Sequence, residues 1–492
     1  MPTEINRRIA IFSHVPADAW SGGRYHAWML AHCASQAGYD VDIIGTARPV
    51  WHDEFDTWPG TARPRLHITQ NFRDDLPDGL FDLVVLVPHR DTKPGFYEAV
   101  KTFARQRGAK RAMINFESGN WFNALSPKPR SLQEWHQWIE FTNEQCLVLS
   151  SAQESRRWAE DFYTRYPDTT CHAVWEPAIN TPVADRCIRR PERSVMIITR
   201  WNDVHKGGGD VEALLHKDLS GTRFDIISGT PPSGSVIRDL QRRASAHGIE
   251  LVMHRGLSDA EKFKLLSRSG VLAFPSLFEG FGLPPVEAAA VRCPSVAYDL
   301  PVLREIVGDA AVYVNPGAID QMREAVRGTL DGAVTFPSEA FDHVASQMKL
   351  DTRVEQLHQT LDRFLATTAA VPYPRTGPLR RLASMVLRTN KVHLSTATRQ
   401  EDAIQLRGWI RSSRVLRHMN IQSDHGTAAT IEYWEPRDDV LERYPKQGSA
   451  HCGFVASLPV NGDPNAVWTV RVTDNAGRRW AERLTLPDGL LS

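Results

Sequence analysis

Between Val271 and Ala288 the chain spells strand, tight loop and helix in one stretch. Val271-Leu272-Ala273-Phe274 is a continuous apolar run that ends at Pro275, as expected for a buried strand. Ser276 to Gly282 forms a glycine-containing loop, and Pro284-Pro285 opens a helix rich in Ala and Val. Proline is tolerated in a helix's first turn because those N–H groups have no intrahelical acceptor. A strand leading through a loop to a helix N-terminus is a ready-made anion site, and Gly280 and Gly282 let backbone come close to a ligand. Two carboxylates bracket the loop: Glu279 before it, and Glu287, expected in the helix's first turn. Carboxylates repel phosphate and accept bonds from hydroxyls. The expected ligand therefore carries both phosphate and polyols, as a nucleotide sugar does.

The chain's 492 residues suffice for two or three domains. A formal net charge of zero, from 58 basic and 58 acidic residues, argues against a general nucleic-acid partner. No apolar run approaches the ~20 residues needed to span a bilayer. Met1 to Arg8 leads straight toward a strand without the apolar core of a signal peptide. Six scattered cysteines without a Cys-x-x-Cys pair fit reduced thiols rather than a disulfide or zinc framework. A cytoplasmic location is the expectation.

Strand-like runs alternate with helical stretches over the first three quarters of the chain. Ile9–Phe12, Val41–Ile44, Leu83–Val87, Ala112–Ile114 and Cys146–Leu149 read as parallel strands of a first α/β domain, residues 1–183. Val195–Ile198, Phe224–Ile227, Leu251–Met253, Val271–Phe274, Pro294–Tyr298 and Ala311–Val314 read as a second, residues 184–366. Residues 367–389 form a linker with a short basic amphipathic stretch, Leu379–Arg388, which could pack on the rest of the chain or rest on an anionic membrane. From residue 390 to 492 the pattern changes to period two with turn signals, as in an all-β sandwich. Trp409, Trp434, Trp468 and Trp480 there suggest carbohydrate contact or, more plainly, core.

The stretch Pro275-Ser276-Leu277-Phe278-Glu279-Gly280-Phe281-Gly282-Leu283-Pro284-Pro285-Val286-Glu287-Ala288 resembles the Glu-x7-Glu signature of family 4 retaining glycosyltransferases. That resemblance implies the GT-B fold, two doubly wound Rossmann-like domains facing a cleft. Thr199-Arg200-Trp201-Asn202-Asp203-Val204-His205-Lys206-Gly207 resembles the family's G-R-x-x-x-x-K-G element, with Thr199 where glycine is usual. By resemblance, Arg200 and Lys206 hold the leaving diphosphate, Glu279 positions the transferred sugar and Glu287 accepts from ribose hydroxyls. Gly280, Phe281, Gly282 and Leu283 would meet sugar or diphosphate through backbone N–H groups. Gly229, Arg255 and Leu257 lie where the family holds the base, and Gly22-Gly23 resembles the N-terminal glycine loop. Many members carry a histidine after an N-domain strand. Here that stretch, Met113 to Asn120, has none, which leaves Glu117, Asn120 or His89 as acceptor-side candidates.

The resemblance implies a nucleoside-diphosphate sugar as co-substrate, a saccharide or lipid-linked saccharide acceptor, no further cofactor and no metal. Asp40-Val41-Asp42 has the letters of a metal-binding Asp-x-Asp, but its place at a strand start reads as surface charge. Surface polysaccharide or lipopolysaccharide synthesis is the expected setting. Two alternatives stand beside this one: a phosphorylase on the same fold, and a non-catalytic sugar-binding or scaffold protein. Oligomeric state is not legible.

Overall fold

The computed structural model describes residues 7–15, 22–89, 95–116, 138, 141–142, 145–162, 170–201, 203–229, 232–367, 391–400, 403–412, 416–436, 440, 451–459, 467–474 and 478–484. Glu117, Asn120, the 368–390 linker and its basic stretch lie outside the described residues.

The first sheet contains β1 (Arg8–Ser13), β2 (Asp40–Gly45), β3 (Arg65–Ile68), β4 (Leu83–Leu86), β5 (Lys110–Asn115), β6 (Cys146–Ser150) and β7 (Thr170–Val174). All are parallel, in the order β3-β2-β1-β4-β5-β6-β7. Successive residues of a strand point to opposite faces, and both faces here are covered. Ile9 and Ile11 meet helix α1 (Gly22–Gln36) through Trp28 and Leu30. Ala10 and Phe12 meet α2 (Gly95–Gln106) through Phe96, Val100 and Phe103. Helix α3 (Gln153–Phe162) follows β6, and the short α4 (Thr181–Ala184) leads out of the domain.

The second sheet contains β8 (Ser194–Thr199), β9 (Arg223–Ser228), β10 (Glu250–His254), β11 (Val271–Phe274), β12 (Ser295–Tyr298) and β13 (Ala311–Val314), parallel in the order β10-β9-β8-β11-β12-β13. Its helices are α5 (Gly208–Leu214), α6 (Gly234–Ala246), α7 (Asp259–Arg268), α8 (Leu283–Ala290), α9 (Pro301–Ile306), α10 (Ile319–Leu330) and α11 (Ser338–Gln347). Helix α12 (Leu350–Ala366) then returns to the first domain, where Leu357, Leu361 and Phe364 join the core beneath α1. Lys110 Nζ fastens its end by donating to the Phe364 and Leu365 carbonyls at 2.9 and 3.0 Å. Sequence order placed this helix with the second domain; its apolar stripe packs against the first. At the crossing, Trp175 Nε1 donates to the Arg353 carbonyl at 3.0 Å, and the buried Arg353 guanidinium pairs with Glu176.

The last part is antiparallel. Strands β14 (Lys391–Gln400), β15 (Ala403–Arg411), β18 (His451–Pro459) and β17 (Thr430–Pro436) form one sheet; β16 (Leu416–Ser423), β19 (Trp468–Asp474) and β20 (Arg479–Arg483) form the other. Ile404, Leu406, Phe454, Val470 and Val472 fill the space between. Trp468 belongs to that core, while Trp409 is half-buried and stacks on His393 at 4.0 Å.

The surface-charge reading of Asp40-Val41-Asp42 holds only for part of it. The Asp42 side chain is fully buried, because β2 is an interior strand covered by β3. It bonds Arg8, Arg65 and His67 at 2.9, 2.9 and 2.8 Å. Burial alone would raise its carboxyl; the bonds from Arg65 and His67 and the Arg65 charge outweigh that and hold it below the usual range. Asp42 is a structural ion-pair centre.

Candidate active site

Strand order reverses between β8 and β11 in the second sheet and between β1 and β4 in the first. Such switch points open crevices beyond the strands' carboxyl ends. The candidates of the second domain all fall on that rim: Arg200 and Lys206 after β8, Gly229 after β9, Arg255 and Leu257 after β10, and Glu279 to Leu283 after β11. In the first domain Gly22 and Gly23 follow β1, and His89 follows β4.

The loops after β8 and β11 lie against each other. Leu277 N–H donates to the His205 carbonyl at 2.8 Å, and Ser276 Oγ bonds the carbonyls of Phe278 and His205 at 2.9 and 3.3 Å. Gly207, with φ +70°, permits this approach: a Cβ there would lie 2.1 Å from the Pro275 carbonyl oxygen. Thr199 Oγ1 donates to the Lys206 carbonyl at 2.8 Å and so closes its own loop. The departure from glycine at 199 thus supplies a fastening.

This packing brings Lys206 Nζ to 2.7 Å from Glu279 Oε1, with the two side chains only 16% and 11% exposed. Arg200 does not join them. Its guanidinium is 41% exposed and pairs with Asp203 at 3.0 Å. Gly282 takes φ +96°, which turns the chain into α8 while Phe281 is buried below. Helix α8 begins at Leu283, so Glu287 sits on its second turn rather than its first.

Glu287 is buried and Lys262 Nζ donates to its Oε1 at 2.7 Å. The same ammonium reaches Asp259 Oδ1 at 2.8 Å, and Tyr25 of α1 donates from its hydroxyl to Asp259 Oδ2 at 3.0 Å. Glu54 of the first domain accepts from the Asp259 N–H at 3.1 Å, at the N-terminus of α7. A second set of bonds joins the domains at the glycine loop: Ser151 Oγ and Ser155 Oγ each donate to the Gly280 carbonyl at 2.6 Å. Glu305 of α9 accepts from the Gln153 and Glu154 N–H groups at 2.7 and 3.0 Å, at the start of α3. Tyr25, Glu54, Ser151, Ser155, Asp259 and Lys262 carry no motif of their own, and sequence reading passed over them.

On the first domain's rim Gly23 lies under the Phe116 ring, where a Cβ would come within 3.1 Å. His89 exchanges backbone bonds with the Tyr97 hydroxyl, and its ring lies 4.8 Å from that of His14. Burial, then the Arg24 charge, lowers His14 to about 4, so its ring is neutral. Gly229 and Arg255 are exposed at the far end of the rim, and Leu257 is half-buried. Among the described residues no group of three or more His, Cys, Asp or Glu is arranged to hold a metal ion. None of their helices is long and apolar enough to cross a membrane.

The chain superposes on solved structures over most of its length. A sucrose-phosphate synthase from Thermosynechococcus elongatus superposes with a TM-score of 0.58 at 14% identity, over 74% of this chain and 100% of that one. Anabaena HepE in complex with UDP and glucose gives 0.55 at 13% identity, over 73% and 100%. This is a GT-B fold. Residues 215–335 match the family model for glycosyl transferases group 1, which takes in Glu279 and Glu287 but not Arg200 or Lys206. Among curated relatives, an MMP alpha-(1->4)-mannosyltransferase of Mycolicibacterium hassiacum is 40% identical over 113 residues, 22% of this chain and 26% of the relative. A GDP-mannose:cellobiosyl-diphosphopolyprenol alpha-mannosyltransferase of Komagataeibacter xylinus is 31% identical over 188 residues, 37% and 46%. These matches span less than half the length of either relative.

Proposed function

We propose that this chain is a retaining glycosyltransferase that moves a sugar from a nucleoside-diphosphate sugar to a saccharide or lipid-linked saccharide, without a metal ion. The observation that carries this reading is the Lys206–Glu279 pair at the switch point, beside the Gly280-Phe281-Gly282 turn. In the reaction the sugar's C1 loses its bond to the diphosphate oxygen and gains one to the acceptor oxygen. The acceptor's proton passes to the departing phosphate. Negative charge grows on that phosphate, and a fixed ammonium beside a helix N-terminus stabilises it without reorganising. Lys206 fills that role, and Arg200 on its exposed loop can exchange Asp203 for phosphate oxygens.

Glu279 is bonded to Lys206 and sits against the glycine turn, which suits a carboxylate that accepts from sugar hydroxyls better than a covalent nucleophile. Incoming and departing groups then share one face of the sugar, and the anomeric configuration is kept. Glu287, with Oε2 unbonded among the described residues, takes the ribose hydroxyls. Gly229, Arg255 and Leu257 border the base, Gly22 and Gly23 face the donor's diphosphate and the acceptor, and His89 lies on the acceptor side. The relatives' names favour a mannosyl donor and surface-polysaccharide or lipopolysaccharide synthesis.

The test is incubation of the purified protein with GDP-mannose, UDP-glucose and other nucleotide sugars in EDTA, with a lipid-linked saccharide acceptor. Release of nucleoside diphosphate and proton NMR of the new linkage are the readouts. Transfer in EDTA with the donor's anomeric configuration preserved is the expected result. Inverted configuration or an absolute need for a divalent ion would overturn the mechanism.

A further inference from the structure

Glu287 does not stand alone in its pocket. The Lys262 ammonium donates to both Asp259 and Glu287, and Asp259 in turn accepts from the Tyr25 hydroxyl and donates its N–H to Glu54. Lys262 lies in α7, whose start is fixed by the Ser258–Glu261 capping box and by Glu54 from across the cleft. The Lys262 and Glu287 side chains are 13% and 8% exposed, so neither has bulk water to stabilise its charge. Burial opposes the charged form of Lys262, but Asp259 and Glu287 outweigh it and hold the ammonium above the ordinary lysine range. Burial pushes the Glu287 carboxyl up, the Lys262 charge works against that, and Asp259 adds to it. Without Lys262, burial and Asp259 would both drive Glu287 toward its neutral form.

We propose that Lys262 is a positioning residue for the donor nucleotide. It holds Glu287 Oε1 so that Oε2 faces the ribose as an acceptor, and through Asp259 it ties that carboxylate to Tyr25 of the first domain. This inference rests on the nucleotide-sugar reading above. It assigns ribose recognition to a relay that spans the domain interface rather than to one glutamate. A carboxylate accepts from a hydroxyl more strongly than a neutral acid does, so the effect falls on the ribose and leaves base and phosphate contacts alone.

The experiment is calorimetric titration of the full chain with GDP and UDP and with their 2′,3′-dideoxy counterparts. The wild type is expected to prefer the ribonucleotide over its dideoxy form by about 10-fold or more, since one to two charge-assisted bonds are at stake. Lys262→Met is expected to bring that preference to within about 2-fold and to raise the donor KM while kcat changes little. Lys262→Arg should restore most of it. Lys262→Gln keeps a donor in the same space, and it carries the same expectation should the Met variant not fold. If Lys262→Met and Lys262→Gln keep the wild-type preference while Glu287→Ala loses it, the positioning role is overturned and the donor reading stands. If the wild type binds neither nucleotide, the donor reading fails and this inference with it; if it binds the ribo and dideoxy forms equally, ribose recognition through Glu287 and Lys262 is overturned while the donor reading stands.

Discussion

The Lys206–Glu279 pair lets structural and chemical roles be separated by a double-mutant cycle. At 2.7 Å, two unit charges attract by about 6 kcal/mol for an effective dielectric of 20, before desolvation is subtracted. Both side chains are largely buried, so Lys206→Ala leaves a carboxylate without its counter-charge. Removing one partner of a buried pair costs roughly 3–5 kcal/mol, which for a domain of this size lowers the melting midpoint by about 10 °C. Glu279→Ala should cost a similar amount. The double variant removes both charges, and its loss should fall short of the sum of the singles by about 2 kcal/mol. Transfer activity should follow another pattern. Each single variant is expected to lose about 100-fold or more in kcat, and the double variant should recover none of it despite its relative stability. Urea unfolding of the four proteins at pH 7.5, with donor turnover measured alongside, gives both cycles. Additive stabilities would show that the charges do not interact in solution. Wild-type turnover in either single variant would refute the assignment of this pair to the chemistry.

Three further outcomes follow from the same geometry. Gly207→Ala would force a Cβ to within 2.1 Å of a backbone oxygen at φ +70°; a loss of roughly 2–4 kcal/mol in denaturant unfolding is expected, with parallel loss of turnover, and an unchanged midpoint would contradict the packing of the two loops. Ser151→Ala/Ser155→Ala leaves the Gly280 carbonyl without either domain-bridging donor; it should raise the donor KM and increase protease cleavage between the domains, and unchanged cleavage would argue against a latch. His26, buried against Trp175, is lowered by burial from 6.5 to about 3. The unfolded chain therefore takes up a proton below pH 6.5 that the fold refuses. Stability is full above that pH and falls as pH drops toward 3, by about 2 kcal/mol at pH 5 from this residue. His14, His32 and His172, all lowered to about 4 with burial as the largest cause, act in the same direction. His26→Phe should flatten the midpoint-against-pH curve between 7.5 and 5, and an unaltered slope would show that His26 titrates normally.

Much of the architecture was written in local pattern. The interior parallel strands are largely apolar runs, so β1, β2, β4, β5, β6, β8, β9, β11 and β12 could be read one at a time. So could the edge strands β10 and β13 of the second sheet, whose Leu251–Met253 and Ala311–Val314 are apolar though only partly buried. The strands that escaped, β3 and β7, are the two edges of the first sheet. Edge strands face solvent on one side, and the exposure of Arg65, Ile68 and Cys171 shows why their sequences carry little periodic signal. Asp42 was misjudged for a related reason: whether a polar residue at a strand start lies outside depends on which strand pairs beyond it.

The sequence alone determined the loop chemistry. Glycine at 282, at φ +96°, and proline at 284 and 285 suit a turn and a helix start, and with the carboxylates at 279 and 287 they are legible without knowledge of the rest of the chain. Only the tertiary structure decided the partners. That Lys206 belongs to Glu279, 73 residues away, and that Tyr25 reaches Asp259, 234 residues away, follows from strand order and from how two domains meet. Charge and hydrogen-bond pairing act through space, and a linear pattern records which groups are available but not which of them a fold brings within 3 Å.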